Sequence, residues 1–179
     1  MVANISNFIG NFQKETARPC NFDAIITCIN KAVEIPASMV FKCEATELPS
    51  RTFSLVEQKT YGPVQYFPVQ NFYEKINMTF ICSGDMSEKK IFDSWMEQIS
   101  TAGISGSNAN AVQFDFNYKE TYSGEVLINQ YDLTGKLVYK ATLFEAFPIS
   151  VHPLKLDWGA ANEIHKLMVT FAYRYSYGK

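Results

Sequence analysis

The pattern that most restricts this chain is alternation with a period of two. From Ile164 to Tyr177, the residues Leu167, Val169, Phe171, Tyr173, Tyr175 and Tyr177 fall on one side, with His165 at the start. Lys166, Thr170, Arg174 and Ser176 fall on the other, with Met168 and Ala172. Successive side chains of a strand point to opposite faces, so such a run lays one apolar face on a core. The same period marks Phe22 to Ile29, where Phe22, Ala24, Ile26 and Cys28 share a face, and Ile76 to Cys82, where Ile76, Met78, Phe80 and Cys82 do. Val40 to Ala45 reads as a short strand stopped by Leu48-Pro49. Glu125 to Tyr131 and Lys136 to Phe144 flank Asp132-Leu133-Thr134-Gly135, whose glycine can take a positive φ, which predicts a hairpin.

Two segments carry the other period. Ile5, Phe8, Ile9 and Phe12 sit at i, i+3, i+4 and i+7, which predicts a short helix over 3–14, ended by Arg18-Pro19. A helix that short is marginal alone and has to dock on something. Asp85 and Glu88 have the spacing of an N-cap and its third residue, a capping-box signature. The helix that follows puts Ile91, Phe92, Trp95, Met96 and Ile99 on one face and has Gly103 as its stop. The fold class expected is therefore mainly β, an antiparallel β-barrel or sandwich with one internal α-helix and a short N-terminal helix.

A chain of 179 residues fits one domain over 1–179. At this length about 70% of the unfolded chain's surface can be buried without disulfide or metal. Two connections stand out. Residues 50–73 hold Phe53, Tyr61, Tyr66, Phe67, Phe72 and Tyr73 between prolines and a glycine. Solvent loops are polar, so this stretch is an aromatic loop or hairpin that lies on a partner or folds back on itself. Residues 101–117 are rich in Gly, Ser, Asn and Ala and read as a flexible surface loop.

Charged residues make up 19% and aromatic residues 15% of the chain. Few charges and many aromatics suit a surface that meets other protein, and equally an aromatic core. Phe53, Tyr61, Tyr66, Phe67, Phe72 and Tyr73, with Phe8 and Phe12, are the candidate inter-subunit contacts. The net charge of −2 argues against strong binding to nucleic acid, which needs a basic stripe. Cys20, Cys28, Cys43 and Cys82 form no CxxC pair, and His152 and His165 stand far along the chain, so metal-ligand spacing is absent. Cys28 and Cys82 read as small buried hydrophobes. No signal peptide opens the sequence and no apolar run is long enough for a membrane span, which leads us to expect a soluble protein of a reducing cytoplasm.

No GxSxG, P-loop, GxGxxG or HExxH string occurs. A Cys–His nucleophile pair is formally available but rests on composition alone. His165 reads as a packed or capped residue, and Asp93 and Glu97, one helical turn apart, read as a solvated face. Asp157-Trp158 reads as a turn with a packed tryptophan. We expect no catalysis, no cofactor and no metal.

Several strings, in order, carry a resemblance. They are Ala17-Arg18-Pro19 leading through Asn21-Phe22 into a strand, then Phe41-x-Cys43-x-Ala45-Thr46-x-Leu48-Pro49, then Phe92-Asp93-Ser94-Trp95. Next come Leu154-x-Leu156-Asp157-Trp158, Asn162-Glu163-Ile164 and an alternating terminal strand. Together they resemble the tail tube proteins of contractile-tailed (myovirus-type) bacteriophages. The resemblance implies a structural subunit of the virion tail, assembled in the host cytoplasm. It implies hexameric rings, each subunit lending strands to a continuous barrel, stacked inside a sheath. The partners implied are further copies of the chain, the tail sheath protein, the baseplate or tube initiator, and the tape measure protein. Genomic DNA would pass through the lumen without specific binding, and no membrane would be engaged. A conduit must not hold its cargo, so the lumen face should be polar and acidic, with Glu125, Asn129, Asn77 and Thr79 as candidates. Other readings stay open: the tube of a phage-like injection or secretion system, a tube initiator or terminator, or, in another class, a ligand-binding β-barrel or small hydrolase.

Overall fold

In the computed structural model, the residues described are 17–28, 33–104, 112–159 and 162–179. The strands are β1 (Phe22–Cys28), β2 (Cys43–Thr46), β3 (Arg51–Gln58), β4 (Gln65–Tyr73), β5 (Ile76–Ile81), β6 (Ser100–Ile104), β7 (Val112–Phe116), β8 (Gly124–Tyr131), β9 (Leu137–Val151), β10 (Lys166–Ala172) and β11 (Tyr175–Gly178). The helices are α1 (Ser87–Ile99) and α2 (Lys119–Tyr122), and a 3₁₀ turn covers Ala37–Lys42. The helix expected over 3–14, with Phe8 and Phe12, lies outside the described residues.

All ladders are antiparallel, in the order β1-β8-β9-β10-β5-β2, with β11 also paired to β9. β9 makes this one sheet into two layers. Its first part pairs with β8 and β11, and its last residues, from Phe147 to Val151, pair with β10. Among the described residues no ladder joins β1 to β2, so the sheet stays open and does not close into a barrel.

The turn between layers sits at Glu145, a non-glycine residue with φ of 52°. That backbone is unfavourable for an L residue, so its surroundings must hold it. The Glu145 carboxylate takes Lys119 Nζ at 2.6 Å and Arg174 Nη1 at 2.7 Å, and Arg174 N donates to Phe144 O at 3.0 Å. Lys119, then Arg174, pull the Glu145 carboxyl below its usual range.

Between the layers lies the apolar face that alternation marked out: Ala24, Ile26, Ile76, Met78, Phe80, Val126, Ile128, Leu167, Val169 and Phe171 are buried. Helix α1 seals it with Phe92 and Trp95. Phe92 lies 5.0 Å from Phe80 and 6.1 Å from Phe171, ring centre to ring centre, and Trp95 lies 6.1 Å from Phe171. Trp95 Nε1 donates to Tyr122 O at 2.7 Å, so the one polar atom of the ring is satisfied.

Several local expectations are corrected. No capping box forms at α1: Met86 takes the cap position with φ of 57°, and Asp85 accepts only from Ser87 N, at 3.3 Å. Glu88 turns inward and is 1% exposed. It accepts from Ser83 N at 2.8 Å, from Ser83 and Ser87 hydroxyls, and from Lys42. This ties the 3₁₀ turn to the helix. Val40 to Lys42 belong to that turn and not to a strand. Gly103 stops nothing, because β6 runs straight on from α1 and pairs with β7 across the segment read as a loop at 101–117. β9 extends to Val151, well past Phe144. The terminal alternation is not one long strand: β10 and β11 are separate, and past the break Tyr175 and Tyr177 face outward.

Two predictions follow from this packing. A Cβ at Gly124 would lie 2.2 Å from Thr27 O, a backbone atom that cannot swing aside, whereas one at Gly84 meets nothing within 4 Å. Gly124→Ala should lower the unfolding free energy in urea by about 2–4 kcal/mol, and Gly84→Ala should change it by less than ~0.5 kcal/mol. For Glu88, burial works to raise the carboxyl pKa, but Lys42, the Ser83 amide and the nearby hydroxyls outweigh it and pull it from 4.5 to about 2. Its stabilisation is therefore complete above about pH 4.5 and is lost as pH falls toward 2. Acid titration of stability should show this loss in the native protein, and Glu88→Gln should flatten it. The same variant should destabilise by about 2 kcal/mol at neutral pH, less than for a fully enclosed pair because Lys42 is 30% exposed.

Candidate assembly surfaces

Strands β3 and β4 pair with each other alone and form a two-stranded ribbon. Alternation puts Arg51, Phe53, Leu55 and Glu57 on one face of β3. A bulge between Ser54 and Leu55 shifts the partner strand, so Tyr66 and Pro68 join Asn71 and Tyr73 on that face. The Arg51 guanidinium lies over Phe53 at 5.1 Å and Tyr73 at 5.9 Å, as that assignment requires. The opposite face has Val56, Phe67 and Phe72. Both faces carry exposed large apolar side chains, from Phe67 at 46% to Val69 at 66%, among polar ones such as Thr52, Gln58, Gln70 and Asn71. Tyr61 stands at the tip, fully exposed. The ribbon touches the body at its base, where Tyr73 packs on Tyr173 at 6.0 Å, and Ser50 donates to Glu74 at 3.2 Å across that base. Monomeric proteins rarely leave an apolar patch this large uncovered, and an isolated hairpin is marginal in water.

The four lumen candidates do not come together. Glu125 and Asn129 lie on the outer face of the β1-β8-β9-β11 layer, whereas Asn77 and Thr79 lie on the outer face of the β9-β10-β5-β2 layer. The core lies between the two faces. Asn129 is 7% exposed, and its amide donates to Asp23 Oδ1 at 2.8 Å. Tyr131 donates to the other oxygen at 2.7 Å, and that bond raises its pKa. Lys140 stands opposite Asn129, and Phe144 stacks on Tyr175 at 4.7 Å. The second face has smaller groups: the Thr170 hydroxyl donates to Asn77 Oδ1 at 2.8 Å and is 3.2 Å from His152 Nε2. Glu44 and Lys166 pair with each other there, and the Glu47 carboxylate accepts from Asn77 N at 3.3 Å.

Sequence reasoning missed other exposed aromatics. Phe41, Phe116 and Tyr118 are 80% exposed or more, and Trp158 is not packed but wholly in solvent, although Asp157 does form its turn by accepting Gly159 N at 2.9 Å. Phe116 and Tyr118 fall beside the Gly/Ser/Asn-rich segment, whose composition masked them. Among the described residues no group of three or more His, Cys, Asp or Glu is set to hold a metal, and no helix is long and apolar enough to cross a membrane. Burial pushes the Cys43 thiol up to about 12, far from a nucleophile's range.

The family profile described as phage tail tube protein matches residues 11–177. A comparison of the sequence with curated proteins finds no match. Among solved structures, the fold is similar to a chain of the sheath–tube complex of an extracellular contractile injection system, PVC, in the extended state. The TM-score is 0.63 at 15% identity, covering 99% of this chain and 98% of that one. It is also similar to a chain of that system's sheath/tube terminator, with a TM-score of 0.64, 14% identity and coverage of 93% and 99%. A chain of the anti-feeding prophage baseplate gives a TM-score of 0.64 at 12% identity, covering 93% and 97%. These likenesses show a common fold.

Because the ribbon buries little on its own subunit, it should be dispensable for folding. Replacing residues 55–69 with Asn-Gly, a two-residue hairpin turn, is expected to leave the thermal midpoint of the subunit within about 2–4 °C of the unaltered chain by circular dichroism.

Proposed function

We propose, from the premise that this chain belongs to the phage tail tube protein family, that its copies close into hexameric rings which stack into the hollow tube of a contractile tail. A structural tube subunit is what the family provides. The ring, the stack and the cargo are the finer reading. The observation that carries it is the β3–β4 ribbon, which exposes large apolar side chains on both faces and is not covered by any of the described residues. A ribbon of that kind is stable when it lies between two surfaces, and a stacked ring supplies them. The open ends of the sheet at β1 and β2 support the same conclusion, since neighbours in a ring would cover edges that otherwise invite aggregation. Phe53, Tyr61, Tyr66, Phe67, Phe72 and Tyr73 would be contacts to neighbouring copies.

On this reading the sheath surrounds the tube, a baseplate or initiator starts it, a tape measure protein sets its length, and genomic DNA passes through the bore into the host. The first two partners agree with the assemblies in which similar folds occur. Of the two outer faces, that of Asn77 and Thr79 suits the bore better. Its polar groups are small, and its Glu44 and Lys166 neutralise each other. The other face carries Lys140 and several aromatic rings. A wall whose Lys166 is paired with Glu44, and which also carries Glu47, offers phosphates little positive charge to hold, so DNA slides.

Purified subunit at high concentration should form long tubes of uniform bore in negative-stain electron microscopy, and the chain with residues 55–69 replaced should stay unassembled. Isolated single rings would instead favour a terminator, and a strictly monomeric chain would sink the reading. A reconstruction of the tubes would report which outer face lines the lumen.

A further inference from the structure

The loop between β9 and β10 carries the string Leu154-x-Leu156-Asp157-Trp158, of which Leu154 packs against the core and Leu156 and Trp158 do not. Leu156 is 83% exposed, Ile164 66%, and Trp158 has no cover at all. With Leu154, Glu163 and His165 they line an open cavity of about 490 Å³. The loop is held in shape by its own polar groups: Asp157 binds the Gly159 amide and, at 3.2 Å, Lys155, and His165 O accepts Cys82 N at 2.9 Å. Its exposed apolar side chains, Leu156, Trp158 and Ile164, stand among the polar Lys155, Asp157, Glu163, His165 and Lys166. A lone exposed tryptophan beside two exposed aliphatic residues is the composition of an interface centre.

Its position in the fold says what covers it. β5 begins at Ile76, just after the ribbon, and ends at Ile81; in the ladder with β10, Ile76 lies opposite Phe171 and Ile81 opposite Lys166. The ribbon therefore leaves one end of this layer and the Trp158 loop closes the other, about 17–20 Å away along the strands. Among the described residues, the chain thus has an exposed projection rich in apolar side chains at one end and an exposed hollow centred on Trp158 at the opposite end. Unlike surfaces at opposite ends of a subunit make head-to-tail contacts, which repeat without limit unless the rotation closes them.

We infer that the Leu156–Trp158–Ile164 surface is the receptor for the β3–β4 ribbon of another copy of this chain. This rests on the tube reading and adds to it the site on which the ribbon docks. The double variant Leu156→Ser/Trp158→Ser removes no core contact, so it should melt with the unaltered subunit, while the mass of pelletable assembly should fall about tenfold or more, as loss of an interface centre does. Unimpaired tubes from that variant would overturn the inference and leave the tube reading standing. Failure of the unaltered chain to assemble would remove both. Should the double variant fold poorly, a photo-crosslinking benzoylphenylalanine at position 158 decides. Adducts mapped by mass spectrometry to residues 51–73 of another copy support the inference. Adducts confined to any other surface, of this chain or of the sheath, or tubes that form with no adduct, overturn it.

Discussion

The packing of Phe92 and Trp95 against Phe80 and Phe171 is the interaction on which the rest of the molecule depends. An open two-layer sheet has an uncovered end, and these rings fill it. They join α1 to β5 and β10 and, through the indole nitrogen, to the backbone of α2. Burying aromatic side chains of this size contributes roughly 2–3 kcal/mol each before cavity effects. With the core complete inside one chain, the apolar groups left outside it are surplus to folding. The ribbon, the Trp158 loop and the Phe116–Tyr118 stretch belong to that surplus.

How far the sequence foretold this follows from which forces act locally. Alternation over Phe22–Cys28, Ile76–Ile81 and Lys166–Ala172 gave the strands and their buried faces, because one face of each meets a core. Asp132 and Gly135 gave the β8–β9 turn, since Asp132 bonds the amides of Thr134 and Lys136 and Gly135 has φ of 80°. Features fixed by distant partners were not legible. Glu88 looks like a capping residue until Lys42, 46 positions away, draws it inward. The long β9 passes through Glu145 because Lys119 and Arg174 hold that backbone, and no local string announces it. Tryptophan is usually packed, but among the described residues none covers the Trp158 ring. The candidate lumen residues split between two faces because alternation assigns a residue to a side of its own strand, not to a layer.

The two layers also divide the molecule chemically. One outer face carries rings, with Phe144 on Tyr175, beside an Asp23–Asn129–Tyr131 cluster. The other is finer-grained, with Asn77, Thr79 and Thr170 in a hydrogen-bonded patch. On the proposed tube reading, the wall between a channel and an outer shell would need two unlike surfaces, and these two faces are unlike.

The free-standing ribbon has a kinetic consequence. A strand pair with no third strand holds its shape weakly, so its order is completed only on meeting a neighbour. The first encounter between two free copies must bear that loss of disorder with a single contact in return. A copy arriving at an existing stack gains several contacts at once. On the proposed tube reading, polymerisation would have a lag, few nuclei and long products, and free copies would persist until a seed permitted growth.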